Sequence, residues 1–494
     1  MVAVLGATSL SIYITKAALP FSIVTLDQPL VSFAGVTGQT WSGVLQYVLT
    51  LGPPVLLYGA GFFVLWRWQV SKSLILAFPV LFGLALFLVY PLTALDVFLY
   101  GAQGWTLAHH GANPLVVSPN AFSENPFLAW SPFVDKPTSY GPLWVYLSAV
   151  AVLIGGASPL GTLLVFKTVG LTSLLASTVL CYAVGERLQP GKGAIAAYTL
   201  GWNPLALWST VADGHNDMTM VVLILLGCLF LFDRPLLALV AIVLAGLVKF
   251  AAFLLLPVFL LHLLHRRYPV LRLTLSLAIA VACGWLVLWP LWVGSATLHA
   301  VTYQLEHKIT MSPAATIILW AESFGYSPDA AEAAIKHFMH ALFAATYVVI
   351  LLTVNKRIES ALAASFCVLL AVLVLVTFWF RFWYIVWPLA IAAVLTSTYK
   401  RLAAAGITFS GVGPCIYLFT DYLWVSYGTR RRLHDRVMLT VFLPPLLVLC
   451  AGAVTYLLRQ RWAKPASESD CAAARPAAPT QFRRGVERRW IGRP

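Results

Sequence analysis

Apolar runs of about twenty residues, separated by short polar turns, recur along this 494-residue chain. They are continuous rather than alternating, so they predict helices and not strands. The spans expected are near residues 3–20, 44–66, 73–95, 160–184, 193–212, 216–232, 235–265, 272–293, 340–354, 360–379, 383–398, 406–427 and 437–458. Ser73–Leu95 has no charge in 23 residues, enough to cross a bilayer. The stretch 235–265 is too long for one plain crossing and contains Lys249 and Pro257, so two short helices should meet near Lys249. The fold class expected is all-α: a polytopic membrane protein of about 13–14 transmembrane helices with a long structured first outer loop.

Composition agrees with this reading. The chain is 60% hydrophobic and 10% charged, whereas soluble domains carry about 25% charged residues. The net charge of +14 suggests no nucleic-acid partner, because much of it marks the inner membrane face. Residues 459–494 hold nine Lys/Arg against three Asp/Glu. They read as a basic, disordered cytoplasmic tail behind a transmembrane domain, 1–458. The seven cysteines form no CxxC pair, so neither zinc nor a disulfide framework is indicated. Val2–Leu19, broken by Lys16, reads as a poor apolar run, a first span or a truncated one.

Charge also orients the spans. Arg67 and Lys72 bracket a cytoplasmic turn, so 73–95 runs outward. The loop 96–140, with Lys136 its single Lys/Arg, then lies outside. If Gly141–Gly156 does not cross but lies along the outer interface, 185–193 falls inside and 213–217 outside. The loops 294–339 and 380–382 then join the first on the outer face, although Arg430–Arg432 falls outside as well, against the charge rule.

The candidate chemistry collects on that face. Asp96 follows the apolar run, where an ionisable group is expensive; it reads either as functional or as a helix-end carboxylate facing headgroups. Tyr100 stands four residues on and can face the same site. Asn113 and Tyr140-Gly141-Pro142 belong to the same loop, whose His109 and His110 read as solvated. Asp213-Gly214-His215-Asn216-Asp217 interrupts two apolar spans; helix capping explains one polar residue there but not His215 with two carboxylates. Lys249 is alone in an apolar run and needs an anion, either a lipid phosphate or an outer carboxylate. Arg381 stands among Phe378, Trp379, Phe380, Phe382, Trp383 and Tyr384, where it can grip a phosphate or anchor an aromatic belt. His307 in the loop 294–339 is a weaker candidate for donor contact.

In the order Asp96, Tyr140-Gly141-Pro142, Asn203-Pro204-Leu205 and Gly214-His215-Asn216-Asp217, the chain resembles the GT-C membrane glycosyltransferases. Within them it is similar to the bacterial polyprenyl-phosphate-mannose-dependent α-mannosyltransferases, over roughly residues 70–400. The resemblance implies transfer, with inversion, of a hexose, mannose first, from a polyprenyl-phosphate donor. The acceptor would be a hydroxyl of a lipid-linked or cell-envelope glycan outside the cell membrane. It implies Asp96 as the catalytic carboxylate. Tyr100, Asn113, Tyr140, His215, Asn216, Asp217, Lys249, His307 and Arg381 are then the candidates for substrate contact. Many GT-C enzymes carry an acidic pair in the first loop, whereas here Val97 follows Asp96, so a metal is not supported; no cofactor is expected. Membrane lipids are the remaining partner. A secondary transporter, or a lipid-linked glycan ligase or flippase, is the rival reading.

Overall fold

The computed structural model describes residues 1–68, 70–298, 310–423 and 430–451. Among them all regular structure is helical, with two isolated bridges, Ser22 to Val89 and Thr310 to Trp379. Among the described residues, seven helices are long and apolar enough to cross a membrane: Trp41–Leu65, Pro159–Leu188, Val270–Leu291, Pro328–Leu352, Ile358–Val376, Lys400–Leu423 and Arg430–Ala451. Seven shorter apolar helices of 10–17 residues accompany them, among them Lys72–Phe87, Pro142–Ile154, Asp217–Phe230 and Pro235–Val248. The protein is an all-α polytopic membrane protein. The chain divides into two compact units, of which Met1–Leu449 is the first. Of the second, Cys450–Pro494, only Cys450 and Ala451 are described, so the expected boundary at 458 and the basic tail lie outside the described residues. His307 lies outside them too.

Helix breaks place the polar residues. The helix expected over 73–95 stops at Phe87. Pro91 follows closely and disfavours helical backbone before it. Residues 88–92 instead pair along the entry segment: Ile23 N–H donates to Leu88 O at 2.8 Å, Tyr90 N–H to Phe21 O at 2.7 Å and Phe33 N–H to Leu92 O at 2.9 Å. Asp96 therefore does not close a span. It opens a separate 15-residue helix, Asp96–His110, whose amino-terminal dipole favours a carboxylate.

That helix packs along Pro142–Ile154, which has 13 residues and turns Trp144, Val145, Ser148 and Val152 into the protein. At about 1.5 Å per residue it reaches about 20 Å, short of a hydrocarbon core of about 30 Å.

The long apolar stretch does divide at Lys249. Pro235–Val248 ends there, Lys249 is extended at φ −145° and ψ 123°, and Phe250–Leu255 forms a tight turn before Leu256–His265. The break frees carbonyls, and Gly141 uses one, its N–H donating to Val248 O at 3.1 Å. A Cβ on Gly141 would stand 2.1 Å from Leu247 O, so only glycine permits this approach.

The expected span 193–212 is likewise divided. Asn203 accepts from Ala206 N–H at 3.1 Å, Pro204 opens the next turn, and Trp208–Ala212 is wound as a π-turn, a form often met at functional sites. Gly214 then takes φ +73° and reverses the chain into Asp217–Phe230.

Candidate active site

These breaks converge. The Asp96 helix, the loop end at Tyr140, the turn 213–217, the break at Lys249 and the extended Arg381 bring their polar side chains to one place. Tyr140 Oη donates to Asp96 Oδ2 at 3.4 Å. His215 Nδ1 lies 3.8 Å from Asp96 Oδ2 and 4.0 Å from Asp217 Oδ2. Tyr100, one turn beyond Asp96, reaches the same imidazole at 3.3 Å and donates to Asn216 Oδ1 at 3.4 Å. The i, i+4 pairing of Asp96 and Tyr100 on one helix face is what the structure contains.

An Nδ1 lone pair aimed between two carboxylate oxygens would be repelled, so the Nδ1–H tautomer of His215 is the favourable one. The tyrosine oxygen then accepts from Nδ1–H and passes its own proton toward Asn216. The imidazole is stacked on Trp383 at 4.1 Å between centroids. In the turn ahead of its helix, burial holds His215 well below the usual imidazole range, and the Lys249 cation pushes the same way, so the ring is neutral.

The two carboxylates differ. Asp217 has 2% of its side chain exposed, against 23% for Asp96. Asp217 Oδ1 is 2.6 Å from Lys249 Nζ and also accepts from Trp387 Nε1–H. Lys249 lies over the rings of Tyr384 at 4.7 Å, Trp387 at 5.2 Å and Tyr140 at 5.7 Å. Of the two partners open to Lys249 from sequence, the structure contains the carboxylate. Asn216 precedes the helix but makes no side-chain cap, so capping does not account for this motif. Burial pushes the Asp96 carboxyl above the usual carboxylate range, opposed by Lys249 and Arg381 and assisted by Asp217.

Arg381 is half-buried, 5.1 Å over the Trp379 ring, and has no ion pair among the described residues. Asn113 stands apart from the cluster: its Oδ1 accepts from Leu115 N–H at 3.0 Å and its Nδ2 donates to Leu291 O at 2.7 Å, which fastens the loop. Among the described residues no group of three His, Cys, Asp or Glu is placed to hold a metal ion.

A supporting layer lies behind the site. Asp213 is fully buried and accepts from Thr93 N–H at 3.2 Å and from the Thr93 hydroxyl, which itself accepts from Trp208 Nε1–H at 3.0 Å. Lys167, equally buried, donates to Val89 O at 2.6 Å, Val211 O at 2.9 Å and Ala212 O. Together they tie the non-helical segment leading to Asp96 to the turn carrying His215. Lys167 gives the same signal as Lys249, a lone cation in an apolar run, and the sequence reading passed over it. Trp383 was read within an aromatic block and Trp387 not at all, because nothing local marks one indole among many.

A sequence model described as the N-terminal domain of alpha-(1->6)-mannopyranosyltransferases matches residues 3–265. Among solved structures, the apo crystal structure of the Archaeoglobus fulgidus oligosaccharyltransferase is similar at 15% identity with a TM-score of 0.39. The similarity covers 85% of this chain and 62% of that one, so the chain spans about three fifths of that protein. No curated protein matches.

Proposed function

We propose, for a chain that belongs to the alpha-(1->6)-mannopyranosyltransferase family, that this membrane glycosyltransferase moves mannose from a polyprenyl-phosphate donor to a glycan hydroxyl. The acceptor is a lipid-linked or envelope glycan, and the reaction runs on the outer face of the membrane. Asp96 is the base. The acceptor oxygen attacks the anomeric carbon from the side opposite the phosphate, and its proton passes to Asp96 Oδ. The bond from that carbon to the phosphate oxygen breaks, the electron pair leaves on the phosphate, and the configuration inverts. A phosphate is a good leaving group, so a single carboxylate suffices where glycoside hydrolysis needs two.

The observation that carries this reading is the difference between the two carboxylates. Asp217 is enclosed and already matched by a cation, whereas Asp96 keeps 23% of its side chain exposed. Arg381 supplies the positive charge for the departing phosphate, as a guanidinium without a carboxylate partner among the described residues. Tyr140, which holds Asp96, offers the sugar a polar contact, with His215, Tyr100 and Asn216 buried behind it as support. The outer location is supported by the sparse charge of the loop 96–140 and by a Pro142–Ile154 helix too short to cross.

The test is transfer by the purified protein in vesicles, supplied with labelled polyprenyl-phosphate mannose and an α-mannoside acceptor. Labelled product with the wild type, and none with Asp96→Asn, is expected. Transfer from a nucleotide sugar but not from the polyprenyl donor would overturn the reading.

A further inference from the structure

Lys249 is the most enclosed cation of this cluster, with 7% of its side chain exposed. Its ammonium meets the Asp217 carboxylate at 2.6 Å and is boxed by the rings of Tyr140, Tyr384 and Trp387. A donor phosphate reaching Nζ would have to displace Asp217 or part those rings. We infer that Lys249 is a positioning residue for Asp96, acting through Asp217 and Tyr140, and not a ligand of the donor phosphate. This rests on the proposed role of Asp96 as the base.

Two routes run from Lys249 to Asp96. The first is electrostatic. One nitrogen of His215 faces both carboxylates, at 3.8 and 4.0 Å, and two like charges so placed oppose each other's ionisation. Lys249 and the Trp387 indole cancel the charge on Asp217 from its far oxygen. Asp96 then faces a compensated carboxylate rather than a second uncompensated negative charge. The second route is geometric. The Tyr140 ring lies under Lys249 at 5.7 Å, and its hydroxyl holds Asp96 Oδ2 at 3.4 Å. Among the described residues, the other titratable groups toward Asp96 are Tyr100 on its own helix, Asp213, His215 and Asp217 on the turn, and Arg381 and Tyr384 on the segment that follows residue 380. Only Lys249 neutralises Asp217 directly among the described residues.

The distinguishing experiment measures kcat, donor KM and the pH profile of transfer for Lys249→Met, Asp217→Asn and the double variant. For Lys249→Met we expect kcat to fall more than about tenfold, donor KM to stay within about twofold, and the acid limb to move up by about one pH unit. In the double variant the uncompensated carboxylate is gone, so the acid limb should return toward wild type. A donor KM raised more than about tenfold with an unmoved acid limb would make Lys249 a phosphate ligand and overturn the inference. Should Lys249→Met fail to accumulate, the double variant decides alone. A donor KM near wild type supports the positioning role, and a raised one overturns it. Asp96→Asn, run alongside, separates the two claims: activity there would remove the base assignment itself.

Discussion

Replacing Gly141 by alanine should damage catalysis through the backbone. The Cβ would stand 2.1 Å from Leu247 O and 2.4 Å from Leu247 C. Relief to an ordinary contact requires the two backbones to part by about an ångström, since real Cβ atoms are seldom nearer than about 3 Å to such atoms. The hydrogen bond from Gly141 N–H to Val248 O, now 3.1 Å, would be lost. Overpacking costs about 1–3 kcal/mol and an unmade buried hydrogen bond a similar amount. The destabilisation should therefore be about 2–6 kcal/mol, lessened where the loop yields. Yielding carries its own penalty, because Tyr140 is the neighbouring residue and holds Asp96 at 3.4 Å. A displacement of about 1 Å at such a contact can cost about 10²-fold in rate. The assay is thermal unfolding in detergent together with kcat on the polyprenyl-phosphate donor. Gly141→Ala protein with wild-type melting and wild-type kcat would refute both the close approach and the link from Tyr140 to Asp96.

Arg381→Ala should weaken donor binding by about 1–3 kcal/mol, about 5- to 150-fold, with little change in acceptor KM; equal losses for donor and acceptor would argue for a general structural role. Asp96 must be deprotonated to act, and burial raises its pKa, so activity should fall as pH drops through a midpoint above about 4. A rate that stays flat to about pH 4 would contradict this. Membrane orientation is testable with single cysteines in a cysteine-free background. The turn 213–217 is buried and would not label, so the exposed Ser123 and Gln189 are the positions to use. An impermeant thiol reagent on intact cells should label Ser123→Cys and leave Gln189→Cys unlabelled; the reverse pattern would invert the proposed topology.

Much of this site is legible in the sequence because membranes make polar residues expensive. Asp96, His215, Asp217 and Lys249 stand out for that reason, and the four meet. Local spacing also sufficed for Asp96 with Tyr100 and for the helix break at Lys249. What stayed hidden depends on partners distant in the chain. The early end of the helix at Phe87 needs residues 21–33 to accept and donate in its place. The loop role of Asn113 needs Leu291. The anion for Lys249 could not be chosen, because a lipid phosphate and Asp217 satisfy the same charge. The glycine of Tyr140-Gly141-Pro142 was visible as a motif, but its reason is a carbonyl on a helix more than a hundred residues away.

The central claim is that Asp96 takes the proton from the acceptor hydroxyl. Single-turnover transfer from labelled polyprenyl-phosphate mannose, measured for wild type and Asp96→Asn in the same vesicles, tests it most directly. The amide keeps the shape of the site but cannot accept a proton at neutral pH. The account predicts that the variant binds donor with wild-type affinity and forms no product above background. Product formation within a few-fold of the wild-type rate would contradict it.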